Sequence, residues 1–409
     1  MRVLFLDAYF EPEQIAFTHL EHDLLEGLVN AGHEVEIVCP TPTRGITPEK
    51  AKAYKKRKSE YMLKKHVHIT RFSAPQEGKN PFIRALRYFW CNLRTYQIGK
   101  DEKTIDVVFC NSTPPTQGWI AGKVAKKLHV PLIYSLQDVF PDSLVTTGIT
   151  SKGSALWKIG RKLEDATYKL ADTIIVISND IKQNIMMKGG PENKIVVIPN
   201  WVDTSEVHPV LRDNNQLYGE LDIDKSKFIV SYAGNMGASQ GIDTIIQAAK
   251  KLKTNKNISF VLFGGGSKFD HYAKLVAGME NVKLYPLQSP DRISEVYSLG
   301  DVSVVACRRG VGAGAVPSKS LSIMATGTPI LLSFDEGTEL WQLIKENNSG
   351  FLAEAENVDS LVEQILIAYN NPSEIRNKGI NALNLVRRNY SKANAMDAYV
   401  SIMKSIVRR

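Results

Sequence analysis

Short apolar runs rich in Val and Ile recur along this chain between helix-length amphipathic segments, and they come in two series. The first comprises residues 3–6, 35–38, 105–110, 132–136, 173–177 and 195–198. The second comprises residues 228–233, 258–263, 282–284, 302–306 and 329–332. The runs lack in–out alternation, as parallel strands buried on both faces do. Helical patterns fall between them, over residues 19–31 and 116–128 for example, with Gly32 as a stop after the first. Strand–helix alternation with right-handed crossovers gives a doubly wound sheet. Two series separated by the polar stretch 203–227 predict two Rossmann-like α/β domains facing a cleft. The expected division is 1–200, 201–385, and a terminal helical segment 386–409 that returns to the N-terminal domain. A length of 409 residues suits two such domains.

Other features narrow the class. No run of about 18 apolar residues occurs, so no spanning helix is expected. The start, Met1-Arg2-Val3-Leu4-Phe5-Leu6-Asp7, reads as a buried strand rather than a signal peptide. Cys39, Cys91, Cys110 and Cys307 are scattered without metal-ligand spacing, which fits reduced cytoplasmic thiols. The net charge of +8 is concentrated in residues 50–65, where Lys50, Lys52, Lys55, Lys56, Arg57, Lys58, Lys64 and Lys65 face one acid, Glu60. That stretch is either a solvated surface loop or an anchor on anionic lipid. No nucleic-acid motif accompanies it, so nucleic acid is not an expected partner. The segment Pro81–Gly99 mixes Phe82, Ile83, Leu86, Tyr88, Phe89 and Trp90 with Arg84, Arg87 and Arg94. It reads either as a domain helix with its apolar side in the core or as a helix lying in a lipid interface.

Ligands of open parallel sheets bind beyond the carboxyl ends of the strands, where glycine turns admit a phosphate. Three turns of the second series qualify. Gly234-Asn235-Met236-Gly237 leads on to Gln240 and Gly241; Gly264-Gly265-Gly266 follows Phe263; Arg308-Arg309-Gly310 begins a stretch that ends in Pro317-Ser318-Lys319. The third adds charge, since a lysine in the first turn of a helix opposes the helix dipole; a bound anion explains it best, and a solvated lysine is the alternative. None is a Walker A loop, and the first strand of the chain is not followed by Gly-x-Gly-x-x-Gly. In the first series, Gln137 and Asp138 follow residues 132–136 as candidates for hydroxyl recognition or proton handling, while Asp142 reads as a helix cap. Asn111-Ser112-Thr113-Pro114-Pro115-Thr116 is similarly placed and would offer hydroxyls and amides to the cleft. Asp222-Ile223-Asp224 is a formal Asp-x-Asp, but it lies in the polar stretch and reads as a solvated loop rather than a metal site.

At these residues the chain resembles the family 4 retaining glycosyltransferases with the GT-B fold, and within them the WbuB/WcaI-type branch that builds bacterial surface polysaccharides. The carriers are Tyr9-Phe10-Glu11-Pro12-Glu13, residues 111–115 and 138–143, Ile198-Pro199-Asn200-Trp201-Val202-Asp203, Tyr232-Ala233-Gly234-Asn235-Met236-Gly237, and Pro317-Ser318-Lys319. The resemblance implies transfer from a nucleotide sugar, UDP-linked and with N-acetylated amino sugars among the candidates, to a glycan acceptor on polyprenyl diphosphate. It implies no metal or other cofactor, and a cytoplasmic enzyme peripheral on the inner face of the membrane.

Departures from the family pattern are also visible. Asn235 and Gln240 stand where many members carry the Arg and Lys that grip the donor diphosphate, which shifts that task to Lys319 and to Arg308 or Arg309. The Glu–seven residues–Glu pattern falls on Gly314 and Ser322, so Ser322 stands where the ribose-binding Glu would be. Gln137 stands in place of a frequent histidine, beside a retained Asp138, and Gln14-Ile15-Ala16 replaces a glycine-rich loop. The expected donor set is therefore Gly234, Asn235, Met236, Gly237, Gln240, Gly264, Gly265, Arg308, Arg309, Pro317, Ser318, Lys319 and Ser322. A sugar-nucleotide epimerase and a non-enzymatic assembly scaffold are the alternatives, and conversion of UDP-sugar without an acceptor would mark the former.

Overall fold

The structure is a computed structural model, described here for residues 1–13, 17–77, 81–146, 148–312 and 317–407. Its chain forms two compact units. The first comprises Met1–Pro199 with Ala393–Arg409, and the second Asn200–Lys392.

The first unit is built on β1 (Arg2–Leu6), β2 (Glu34–Pro40), β3 (Ser59–Met62), β4 (Val67–Phe72), β5 (Val107–Asn111), β6 (Leu132–Leu136), β7 (Thr173–Val176) and β8 (Ile195–Val197). Their order in the sheet is β3-β4-β2-β1-β5-β6-β7-β8. All pairings are parallel except β3 with β4. β1, β5 and β6 are buried almost throughout, as their unalternating apolar runs require. The helix Thr18–Asn30 crosses from β1 to β2 and buries Leu20, Leu24, Leu25 and Leu28. Each such side chain stabilises the fold by about 1.5–3 kcal/mol relative to exposure. Gly32 at φ +78° ends that crossover in a conformation that favours glycine. The last helix, Lys392–Val407, buries Ala395, Met396, Tyr399 and Met403, and a Cβ on Gly27 would lie 2.5 Å from the Met396 sulfur. Gly27 is thus what lets this helix pack against Thr18–Asn30.

The second unit holds β9 (Phe228–Asn235), β10 (Ile258–Gly265), β11 (Val282–Pro286), β12 (Val302–Ala306), β13 (Ile330–Phe334) and β14 (Gly350–Glu354), in the order β11-β10-β9-β12-β13-β14. Every one of these pairings is parallel. The strand order reverses direction between β9 and β12, and in the first unit between β1 and β5. Those two points are where open α/β sheets take ligands.

Residues 50–65 are not a loop. Thr47 caps the helix Pro48–Lys56 by accepting from the Lys50 amide at 3.3 Å, Pro48 fits its first turn, and β3 then pairs with β4. All eight cations of the stretch are nonetheless exposed, and the helix buries no residue. Asp222-Ile223-Asp224 is a turn: Asp224 Oδ1 accepts from the Ser226 amide at 2.9 Å and its hydroxyl at 2.7 Å. Among the described residues no group of three or more His, Cys, Asp or Glu is placed to hold a metal ion, and no helix is long and apolar enough to cross a membrane. All four cysteines are buried free thiols.

Candidate active site

The second unit brings three glycine turns together at the β9/β12 switch point. Gly234 and Asn235 at the end of β9 lie in register with Gly264 and Gly265 at the end of β10. Met236 tucks beneath them: its amide donates to the Gly265 carbonyl at 2.6 Å, and a Cβ on Gly264 would strike the Met236 side chain at 2.4 Å. Gly266, at φ +105°, leaves the space that Asn235 Oδ1 occupies. Gly237 lies close against the Asn235 amide in the same way, its Cβ position 3.0 Å from Asn235 Nδ2. Gln240 donates to the Ser239 hydroxyl at 3.4 Å, and the Arg308 amide donates to the Ser239 carbonyl at 3.0 Å, joining the turn after β12 to that after β9.

Glu356 engages the arginine pair after β12. Arg308 Nε lies 3.2 Å from Glu356 Oε1, and the Arg309 amide donates to the other oxygen of that carboxylate at 3.2 Å. Arg309 also donates to the Ala355 carbonyl at 3.3 Å. Asp335 accepts from the amides of Gly310 and Gly312 at 2.9 and 2.8 Å. Glu356 and Asp335 thus shape the 308–312 turn, and Arg308 meets Glu356 through Nε while its guanidinium stays exposed. Residues 313–316, including the Gly314 position, lie outside the described residues, as do Gln14, Ile15 and Ala16.

Lys319 is different. It opens the helix Lys319–Ala325 after Pro317 and Ser318; the Ser318 side chain makes no capping bond, and Ser322 follows one turn on. The aliphatic stem of Lys319 is partly exposed, but its Nζ is sealed from solvent and has no hydrogen-bond partner among the described residues. Nζ lies 3.9 Å from the centroid of the Tyr232 ring. It is also 3.5 Å from where a Cβ on Gly234 would stand. Desolvation alone pulls its pKa from 10.5 to about 7. A buried ammonium without a counter-charge is costly, so the arrangement is poised for an incoming anion. Tyr232 itself is fixed by donating from its hydroxyl to the Asn235 carbonyl at 2.7 Å. The sequence reading placed Tyr232 among the carriers of the resemblance but gave it no role at the site, yet a signal was present. Positions 232 and 234 share one face of β9, so an aromatic ring followed by a missing side chain leaves a slot for a long neighbour.

In the first unit, Gln137 and Asp138 follow β6, and the Gln137 amide donates to the Ser112 hydroxyl at 3.2 Å. The Asp138 side chain reaches solvent, while the protein around it raises its carboxyl above the usual range by desolvation. The access to water matters more for its chemistry, since a carboxyl that handles a substrate proton must be reachable. Asp142 is a structural anchor. Burial acts to raise its pKa, but Lys188, Asn184 and Trp157 all donate to it and hold it below the usual carboxylate value. Asn111 departs from expectation by facing inward. Its amide donates to Asp7 at 3.3 Å and to Glu21 at 3.1 Å, because those two buried acids need a donor. Burial raises both, Asp7 to about 6, and the neighbouring Asp7 raises Glu21 further, whereas the hydrogen bonds of Asp7 with Glu21 and Asn111 act to lower Asp7. Glu13 is likewise internal, accepting from the amides of Thr43 and Arg44 at 2.7 and 2.8 Å.

Two Rossmann-like units, the second with glycine turns gathered at its switch point, are those of the GT-B fold. The sequence profile of Glycosyltransferase Family 4 matches residues 21–206, and that of Glycosyl transferases group 1 matches residues 213–384. The chain belongs to the family 4 glycosyltransferases. It is 24% identical over 391 residues to the putative colanic acid biosynthesis glycosyl transferase WcaI of Escherichia coli K12, covering 89% of this chain and 91% of that protein. Among solved structures it is similar to sucrose-phosphate synthase of Thermosynechococcus elongatus, with a TM-score of 0.77 at 15% identity over 99% of this chain and 98% of that one. HepE of Anabaena, solved with UDP, gives a TM-score of 0.73 at 14% identity, over 99% and 100% of the two chains.

Proposed function

We propose that this enzyme transfers a sugar, with retention, from a UDP-linked donor to a glycan acceptor carried on polyprenyl diphosphate in surface-polysaccharide assembly. The observation that carries the reading is the sealed, unpartnered Lys319 Nζ over Tyr232 and beneath Gly234. A diphosphate brought over the glycine turns would meet this cation. Charge developing on the leaving UDP is what a preorganised site of this kind stabilises. Asp138 is assigned to the attacking hydroxyl of the acceptor. The UDP complex of HepE and the polysaccharide assignment of WcaI support the donor and the pathway class.

The exposed cations of residues 50–65 are assigned to the anionic inner membrane face, where each is worth about 1 kcal/mol near the surface. A lipid-borne acceptor would be met there. The test is a thermal-shift screen over UDP-sugars, followed by turnover on a polyprenyl-diphosphate-linked acceptor. A donor that stabilises the protein and releases UDP only when acceptor is present supports the transferase. Rapid conversion of the donor sugar without acceptor would support an epimerase, and no nucleotide binding would support a scaffold.

A further inference from the structure

The helix Pro81–Gly99 is turned opposite to the usual arrangement of a domain helix. Its inward face carries Arg87, 1% exposed, with Cys91 and Thr95. Arg87 is accommodated by donating to the Pro75 carbonyl at 3.1 Å and lying 5.8 Å from the centroid of the Tyr9 ring. Its outward face carries Ile83, Leu86, Phe89, Trp90 and Leu93, with Leu86 65% and Phe89 67% exposed. Spacings of three and four residues place these side chains in one continuous row. The Phe82 side chain lies outside the described residues. Single exposed apolar residues are ordinary, whereas a contiguous row on one helix marks an interaction surface.

We infer that this row is seated in the interfacial layer of an anionic phospholipid membrane. The charge of the helix selects that occupant. It contains three arginines and no acid; besides buried Arg87 it carries Arg84, exposed and 3.4 Å from Glu77 Oε1, and Arg94, partly exposed and donating to Gln97 at 2.8 Å. Arg71 links this region to the basic stretch, since its guanidinium lies over the Tyr54 ring of Pro48–Lys56 at 5.0 Å and donates to the Glu11 carbonyl at 2.6 Å. Tyr9, two residues before Glu11, has Arg44 over its ring as well as Arg87. The basic helix and the helix that carries the apolar row are thus joined through Arg71 and Tyr9. Trp90 is suited to a headgroup boundary, with a half-exposed ring whose Nε1 already donates to the Ser73 carbonyl at 2.9 Å. A helix with an apolar face and flanking arginines lies flat with that face in the acyl boundary. This deepens the membrane reading above and rests on it for its purpose. The basic stretch attracts from a distance, and the apolar row supplies attachment that salt does not screen.

The test is flotation of the full-length protein with phosphatidylethanolamine–phosphatidylglycerol vesicles at low and high salt, with brominated phosphatidylglycerol as a quencher of tryptophan fluorescence. Leu86→Ser with Phe89→Ser should weaken binding about tenfold or more at both salt concentrations. Replacing Lys55, Lys56, Arg57 and Lys58 with glutamine should weaken it chiefly at low salt. Brominated lipid should quench wild-type fluorescence and lose that part of the quench in Trp90→Phe. Both serine positions are exposed, so an unchanged melting temperature and unchanged UDP binding confirm an intact fold and donor site. Equal flotation of wild type and the serine variant overturns the proposal, and so does salt-sensitive binding without quenching, which leaves only the basic attraction. A wild-type dimer in sedimentation that the serine variant dissociates also overturns it, by assigning the row to a second copy. Failure to turn over any UDP-sugar with a water-soluble acceptor would count against the transferase reading alone.

Discussion

The Lys319 ammonium lies 3.9 Å from the centroid of the Tyr232 ring and has no hydrogen-bond acceptor among the described residues. A cation held this way is tolerated by the π face but not neutralised, which leaves its attraction for a phosphate largely unspent. Removing it should therefore be felt in donor binding. Lys319→Met is expected to weaken UDP binding by about 1.5–3 kcal/mol, the value of a charge-assisted hydrogen bond. Titration calorimetry measures this directly.

The same substitution should strengthen the fold. The folded-state pKa of Lys319 is depressed from 10.5 to about 7, so the unfolded chain binds the extra proton between those values. Stability therefore rises with pH across that window, and at neutral pH and below the buried amine is a liability. Lys319→Met is expected to gain about 1–3 kcal/mol at pH 7 and to flatten the rise above it. Urea unfolding of both proteins at pH 7 and pH 9 checks the sign.

Gly234 sits at φ +145°, and a Cβ there would stand 3.5 Å from Lys319 Nζ. Gly234→Ala is expected to cost about 1–3 kcal/mol through backbone strain alone, and also to intrude where the diphosphate would approach Nζ. UDP affinity should fall while circular dichroism stays native. Tyr232→Leu should weaken UDP by about 0.5–2 kcal/mol by removing the ring, and Tyr232→Phe by less.

Much of this was legible beforehand and some was not, for identifiable reasons. The glycine turns and Lys319 announced themselves because tight turns and a cation against a helix dipole have few structural explanations. The pairing of Arg308 with Glu356 was not readable, since 48 residues separate the partners and β13 and β14 intervene. Residues 50–65 were misjudged because charge density suggests a loop, whereas Thr47, Pro48 and the β3–β4 pairing decide the backbone. Asn111 was assigned outward because it follows an apolar strand, but Asp7 and Glu21, 104 and 90 residues away, claim its amide. Arg87 was grouped with Arg84 and Arg94 without a face of its own, because periodicity alone does not reveal which face meets the core.

The acid pair yields a pH prediction of opposite kind. Asp7 is raised from 3.8 to about 6 by burial beside Glu21, so the native state holds a proton that the unfolded chain has released. Stability should fall as pH rises from about 4 through about 6 on this account. Asp7→Asn keeps an acceptor for Asn111 and removes the titrating group. It is expected to raise stability at pH 7 by about 1–3 kcal/mol and to reduce that slope, as thermal melts between pH 4 and 8 would show.

The most direct test is titration calorimetry of UDP into wild type and Lys319→Met at pH 8, in two buffers of different ionisation enthalpy. With a Lys319 pKa near 7, the empty protein is mostly uncharged at that position at pH 8, and binding a diphosphate must recharge it. The account predicts close to one proton taken up per UDP by wild type, none by Lys319→Met, and an affinity loss of about tenfold or more in the variant. Equal affinities with no proton uptake in either protein would contradict it.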